Sequence, residues 1–490
     1  MDDLLKLDAT AAAEAIRKGD TTAEALTALT LEHAQETEPN IGAYIKLDID
    51  GAIDRAREID IAIAKGEEAG PLAGIPIAIK DNIHVEGLPT TCASKMLGEF
   101  VALRDATVTA RLKAAGAVIL GKTNLDEFAM GSSCETSAIQ QTSNPWNTDH
   151  VPGGSSGGSA ACVAAHSAFL SLGSDTGGSI RFPGSFTGTV GYKPSYGRVS
   201  RFGLVAFAST LDQIGPFSRS VRDSALMMNV MAGRDELDST TIDASVPDHT
   251  AALSADALKG KRVGVVRSYL EELENTDVSA SVSGAIERMK DCGAEIVEID
   301  LPHAKHGIAI YYVIASAEAS SNLSRFDGVR YGFRESADSI LDHYIQTRGA
   351  GFGPEVKRRI MLGAYALSAG HWEEYYGKAC QVRTLIKRDF DNAFKKCDVI
   401  AGPCAPFTAF KKGEKSDPLS MYLCDTYTIP ASMAGLCALS QPCGFDKQGL
   451  PIGLHLQAPA FADDRLLGYA HALEVSLRAD ESIGLNRTPL

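Results

Sequence analysis

The chain lacks the features that mark several large classes of protein. No apolar run approaches the roughly 18 residues that a membrane-spanning helix needs. The start, Met1-Asp2-Asp3-Leu4, has no basic segment ahead of an apolar one. Neither a membrane span nor a signal or transit peptide is expected. Positive charge is in deficit: the formal net charge is −15. That argues against a surface that grips nucleic acid broadly by itself, and leaves open contact with RNA through a partner. The ten cysteines are scattered singly, with no CxxC pair and no neighbouring histidine spacing that suggests zinc. They read as reduced, mostly buried thiols of a cytoplasmic protein, and no Cys–His arrangement for catalysis is legible. The eleven histidines form no HExxH or similar pattern, so no metal site is expected. Internal repeats and low-complexity segments are absent as well.

What remains is an ordinary globular composition over 490 residues, 44% apolar and 22% charged. It leaves room for one large domain or about three of average size. Residues 4–18 read as a helix stopped by Gly19-Asp20. Thr21 or Thr22 can cap a second helix that runs to about residue 37 and is ended by Pro39. A third helix is expected over 53–64. Residues 108–115 read as a helix and 117–120 as a strand, followed by Gly121-Lys122-Thr123. That GKT invites a phosphate-loop reading, but the motif needs a loop after a strand, and here the residues between Gly116 and Gly121 are the strand itself. Residues 235–257 are polar and turn-rich, a plausible boundary between halves. Beyond them, 261–266, 278–292 and 295–299 read as strand, helix and strand, which supports an α/β sheet. A largely helical region covers 308–396. Strands resume at 399–401, 438–441 and 453–457, and a last helix over 464–478 precedes a tail expected to fray.

Two places carry chemistry. Residues 152–181 read PGGSSGGSAACVAAHSAFLSLGSDTGGSIR. Two serine-in-glycine clusters flank a small-residue apolar segment, and glycine lets backbone approach another group closely. A pair of flexible linkers is the alternative, but the apolar segment over 160–172 suits a core better than a tether. His166 lies within it and reads as a packed residue. Earlier, Ile75, Ile77 and Ile79 mark a buried strand that ends in Lys80. The lysine either snorkels to solvent or is buried, with its pKa lowered until it can act as a base. A serine hydroxyl attacks poorly unless a base takes its proton. A neutral lysine can be that base, with a second serine relaying the proton. Gly177 and Gly178, ahead of Ser179, would leave backbone N–H groups free for an oxyanion hole. The combination fits acyl transfer from an amide or ester.

GGSSGGS, SDTGGSIR and the strand ending in Lys80 strongly resemble the amidase-signature family of serine hydrolases. The resemblance implies a catalytic triad of Lys80, a relay Ser155 held by a cis peptide bond, and the nucleophile Ser179; the spacing of the two serines also matches. It implies an oxyanion hole from backbone N–H groups around Thr176, Gly177, Gly178 and Ser179, with Ser156 as a hydrogen-bonding neighbour. It also implies one large α/β domain over 1–490, a central mixed sheet with helices on both faces, which overrules a boundary near residue 235. Within it, 1–65 would be peripheral helices, 66–235 would hold the catalytic motifs, and 236–490 would complete the sheet and the substrate-binding helices.

Longer stretches, among them GYKPSYGRVSRFGLVAFASTLDQIGP, GFGPEVKRRIMLGAYALSAG and LPIGLHLQAP, resemble one branch of that family, the glutaminase (A) subunits of tRNA-dependent amidotransferases. That resemblance implies no cofactor in this chain and partner B and C subunits in a heterotrimer, with ATP and Mg on the B subunit. The implied substrate is glutamine, and misacylated tRNA, Glu-tRNA(Gln) or Asp-tRNA(Asn), would be served through the complex. It assigns Arg359 to the α-carboxylate of glutamine, Asp425 to its ammonium, and Tyr311 to the pocket wall. A planar guanidinium suits a carboxylate because it binds two oxygens at once. A stand-alone amidase on another small amide is the alternative, and a phosphate-binding protein with glycine loops a more distant one. Cys162, Cys404, Cys437, Gln441 and the run Phe182-Pro183-Gly184 depart from the family pattern, and Phe182 is expected to narrow the approach to Ser179.

Overall fold

The computed structural model describes residues 2–489. Eleven strands form one sheet: β1 (Tyr44–Leu47), β2 (Pro76–Lys80), β3 (Val118–Thr123), β4 (Leu170–Asp175), β5 (Val190–Lys193), β6 (Gln213–Ser218), β7 (Arg262–Val266), β8 (Glu295–Ile299), β9 (Val399–Pro403), β10 (Cys437–Phe445) and β11 (Pro451–Ala458). Their order across the sheet is β1-β3-β2-β4-β6-β5-β10-β11-β9-β7-β8. The sheet is mixed. β2 runs parallel to both β3 and β4, and β7 runs parallel to both β8 and β9. The central pairs β4/β6, β6/β5, β5/β10 and β10/β11 are antiparallel. The polar 235–257 segment separates β6 from β7 in sequence, yet strands from both sides of it share this sheet through the β5–β10 pair.

Successive strand residues point to opposite faces, and the burial pattern uses this. Val399 and Ala401 of β9 pack with Val282, Met289 and Leu466, whereas Ile400 between them packs with Ile314, Ile386 and Phe390. Cys437 and Leu439 of β10 go with the first group and Ala438 with the second. The helices Thr276–Asp291 and Asp463–Arg478 therefore cover one face, and Gly307–Asn322 and Lys378–Ala393 cover the other. The α/β architecture with helices on both faces is as expected. All five residues of β2 are buried, as a strand covered on both faces requires.

Several boundaries differ from the sequence expectation for local reasons. The first helix breaks at Asp8, whose carboxylate accepts from Ala11 N at 2.7 Å and caps a new helix, Ala9–Lys18. Pro39 does not end the second helix; Ala23–Ile41 carries it in the last turn. There a missing N–H removes only one ladder bond, and the stop comes from Gly42 in the left-handed region at φ 62. Gly121-Lys122-Thr123 lies inside β3 rather than in a loop. Lys122 is buried in an ion pair with Asp81 at 3.0 Å and donates to the Ile83 and Pro89 carbonyls, so it does not face a ligand. The tail expected to fray is tied down: a turn over Glu481–Ile483 ends at Gly484, and Ile483 and Leu485 pack on the core.

The helices Gly307–Asn322 and Pro354–Leu367 approach unusually closely. A Cβ at Gly363 would lie 1.9 Å from the Ser316 carbonyl oxygen, so only glycine fits. Gly363→Ala is expected to force the two helices apart and destabilise the fold by roughly 1–3 kcal/mol, as overpacking does. A lowered thermal midpoint measures this, and an unchanged one would refute the close-packing argument.

Candidate functional site

Strand β2 carries Lys80 into the interior, where its side chain is fully buried. Its Nζ lies 2.8 Å from Ser155 Oγ, 2.8 Å from Ser156 Oγ and 3.0 Å from Ser174 Oγ. No carboxylate comes within ion-pairing distance of it among the described residues. Burial pushes its pKa down to about 7, against the upward pull of the more distant Asp126, Cys134, Asp175 and Asp212. A neutral amine can donate to two of these hydroxyls and accept from the third. The hydroxyls are themselves fixed. Ser156 Oγ donates to the Ser174 carbonyl at 3.1 Å, and Asn82 Nδ2 donates to Ser174 Oγ at 2.9 Å.

Ser155 and Ser156 enter on the loop that leads into the helix Gly157–Ala164. The Gly154–Ser155 peptide is cis, as the family resemblance implies. The loop is pressed against Asp126: a Cβ at Gly154 would lie 2.1 Å from its Oδ2. Asp126 also takes the backbone N–H groups of Cys134 and Thr136, and its own N–H donates to the Ser155 carbonyl.

The loop that carries Ser179 leaves the end of β4. Asp175 closes it by binding Arg181 through two oxygens, with Nε and Nη2 each at 3.0 Å. Burial pushes the Asp175 carboxyl up, but the adjoining Arg181 more than offsets this and holds it below its usual value. The rest of the Arg181 guanidinium is spent on the Thr428 carbonyl, His455 Nε2 and Ser432 Oγ. Thr176 Oγ1 donates to Asp212 at 2.7 Å. Ser156 N donates to the Ser179 carbonyl at 3.2 Å, joining the two serine loops directly. Among the described residues, no group accepts from the backbone N–H groups of Thr176, Gly177, Gly178 or Ser179. Buried N–H groups are rarely left so, and four in succession make a site for a developing negative charge. Ser179 retains 8% exposure, whereas Lys80, Ser155 and Ser156 retain none.

Two of the three residues assigned to substrate, Tyr311 and Asp425, lie against the same loop though far downstream in sequence. A Cβ at Gly177 would lie 2.8 Å from the Tyr311 ring. One at Gly178 would lie 2.3 Å from Thr428 Oγ1 and 3.0 Å from Asp425 Oδ1. Asp425 Oδ2 accepts from Ser132 Oγ at 2.7 Å. Burial pushes the Asp425 carboxyl up to about 7, while Ser132 and the charge of Arg359 pull it down. Arg359 is itself buried, with its guanidinium carbon 4.8 Å from the Tyr312 ring centre, and Tyr312 stands edge-on to Tyr311 at 5.1 Å.

Sequence reasoning missed several of these groups. Ser174, Asp175 and Arg181 lay inside the singled-out stretch without a role, and Ser132 was not singled out. Asn82, Asp126, Asp212 and Thr428 had no signal of their own. The expectation for Phe182 is corrected: it is fully buried against Phe186, ring centres 4.4 Å apart, in a cluster with Val151 and Phe410. It does not line the approach to Ser179, because the helix Arg181–Thr187 turns it into the core. His166 packs as expected, with Nδ1 2.8 Å from the Leu5 carbonyl. The ten cysteines are free thiols, eight of them buried. Gln441 is buried with neither amide atom partnered among the described residues, and nothing in the structure explains it.

The chain belongs to the Amidase family, whose profile matches residues 25–467. It is 56% identical to the glutamyl-tRNA(Gln) amidotransferase A-type subunit of Synechococcus sp. strain JA-3-3Ab, over 91% of this chain and 87% of that one. The crystal structure of the corresponding glutamyl-tRNA(Gln) amidotransferase A-type subunit from Thermotoga maritima superposes with a TM-score of 0.80 at 42% identity, covering 96% of this chain and 95% of that one. The peptide amidase of Stenotrophomonas maltophilia superposes with a TM-score of 0.83 at 29% identity, covering 99% and 98%.

A serine-reactive phosphonate is expected to modify Ser179, with a rate that rises with pH through about 7 as Lys80 loses its proton. Lys80→Met should slow labelling by about 10²-fold or more, the contribution of a positioned base. Mass spectrometry of the adduct checks both; labelling elsewhere, or a rate flat between pH 5 and 9, would count against Lys80 as the base.

Proposed function

We propose that this chain is the glutaminase (A) subunit of a tRNA-dependent amidotransferase. It hydrolyses glutamine and supplies ammonia for converting Glu-tRNA(Gln) to Gln-tRNA(Gln). The observation that carries the reading is the pair of buried opposite charges, Arg359 and Asp425, in which Arg359 acts on the Asp425 carboxyl and Asp425 lies against the loop that holds Ser179. A free α-amino acid needs both, and a simple amide needs neither. Ser179 Oγ attacks the side-chain amide carbon. Its proton passes through Ser155 to neutral Lys80, and the oxyanion is met by the N–H groups of residues 176–179, each such donor worth about 3 kcal/mol or more. The proton returns to the leaving nitrogen and ammonia departs. Water, deprotonated along the same relay, then cleaves the glutamyl ester and releases glutamate. Ser156 and Ser174 keep the amine aimed at Ser155.

This reading brings partners with it. The chain needs no cofactor of its own; a B subunit with ATP and Mg activates the misacylated tRNA, a C subunit completes the heterotrimer, and the complex works in the cytoplasm. The net charge of −15 suits a chain that leaves tRNA binding to its partner. Among the described residues no helix is long and apolar enough to cross a membrane. Residues 1–490 act as one domain, a reading supported by the single sheet. The second reading, a stand-alone amidase, draws on the likeness to the peptide amidase.

Ammonia release from glutamine by the chain with its B and C subunits, ATP and Glu-tRNA decides between the two. Turnover of other amides with none of glutamine would sink the glutaminase reading. The pH profile is a further check. Lys80 and Asp425 both have pKa values of about 7. Below that pH Lys80 gains the proton that disables it as a base, and Asp425 gains the proton that removes its charge. We expect log kcat/KM to fall with a slope approaching two in acid, while log kcat at saturating glutamine falls with a slope near one. Asp425→Asn should raise KM and leave only one ionisation in the acid limb.

A further inference from the structure

Arg359 and Asp425 come from segments far apart in sequence, and each must be held for the pair to measure an amino acid. Arg359 lies on the helix Pro354–Leu367, one turn after Glu355. Its Nε donates to Glu355 Oε1 at 2.7 Å, and Nη1 and Nη2 donate to no group among the described residues. The guanidinium is thus anchored by one nitrogen, with the two that suit a carboxylate left over. The same Glu355 oxygen accepts from the Tyr422 hydroxyl at 2.9 Å. Tyr422 ends the short helix Pro418–Tyr422, and the next turn, Leu423–Asp425, ends at Asp425. Its ring also stacks on Tyr312, centres 3.7 Å apart, and Tyr312 and Tyr422 lie 4.8 and 5.6 Å from the guanidinium carbon. The other Glu355 oxygen is taken by Arg358. Asp425 is tied on its far side to Ser132, leaving Oδ1 facing Gly178.

We propose that Glu355 and Tyr422 are positioning residues that fix the spacing between Arg359 and Asp425, and so make the site selective for an amide bearing both an α-carboxylate and an α-ammonium. The inference rests on the glutaminase reading above. An i,i+4 Glu–Arg pair alone is a common helix contact. Here the shared oxygen also receives a hydroxyl from a segment 67 residues away, and that segment carries the anion of the same site. Selectivity then depends on a bond that touches neither substrate nor nucleophile. Because neither residue meets the reacting atoms, losing the bond changes substrate binding and leaves the chemical step alone.

The test uses the full chain in complex with B and C subunits and three amides: glutamine, 4-aminobutanamide, which lacks the carboxylate, and glutaramate, which lacks the ammonium. Tyr422→Phe keeps the stacked ring and removes the hydroxyl; Glu355→Gln keeps the length and removes the charge. Both variants are expected to raise KM for glutamine by about tenfold, the loss of a hydrogen bond to a charged group. The kcat for glutamine, and kcat/KM for the two truncated amides, should stay within about a factor of two, so that discrimination falls. An unchanged KM in Tyr422→Phe overturns the proposal. So does an equal fall in kcat/KM for all three amides, which marks a merely structural role. Failure of the underlying reading looks different: the unmodified complex would then turn over glutamine no better than the truncated amides.

Discussion

A lysine amine buried among hydroxyls and deprived of a carboxylate is the constraint on which this site depends. Two fully buried lysines sit on neighbouring strands of the sheet. Lys122 on β3 is given Asp81 at 3.0 Å. Lys80 on β2 is given three serine hydroxyls instead. Transfer of an unpaired ammonium into such a place is unfavourable enough to push its pKa down to about 7. That lowering comes from the packing of β2 between two parallel neighbours. Everything around it serves to keep charge away while keeping hydroxyls close. Asp126 and Asp175, the nearest carboxylates in the motif loops, are occupied by backbone amides and by Arg181.

The adjoining loop solves a related problem with glycine. At Gly177 and Gly178 the space a Cβ would fill is already taken by Tyr311, Thr428 and Asp425, and their N–H groups, left without acceptors among the described residues, are the ones proposed to meet an oxyanion. The loop proposed to stabilise the reaction and two of the residues proposed to select its substrate, Tyr311 and Asp425, thus lie side by side.

How much of this was legible in the chain follows from where the determinants lie. Lys80 could be read as a candidate base because the isoleucine spacing before it marks a buried strand. The serine–glycine clusters could be read as converging because the segment between them is too apolar for a linker. Tyr311, Arg359 and Asp425 were legible only through longer motifs, since an isolated arginine or aspartate is ordinarily a surface charge. Glu355 and Tyr422 were not legible at all: their bond is tertiary, and nothing in the spacing of either segment announces it. Phe182 misled because closeness in sequence to Ser179 says nothing of direction once a helix begins at Arg181. Pro39 misled because a helix tolerates proline where few ladder bonds remain to be lost. Asp8 shows the converse, a single carboxylate starting a helix inside what reads as one continuous run.

The β5–β10 pair joins two parts of the chain with different contents. Lys80, Ser155 and Ser179 all precede it in sequence on the β5 side, and Tyr311, Arg359 and Asp425 all belong to the later part that β10 brings back. A substitution in the later part can therefore alter the residues proposed to select the substrate while leaving Lys80, Ser155 and Ser179 in place. The peptide amidase that superposes at 29% identity shares this frame.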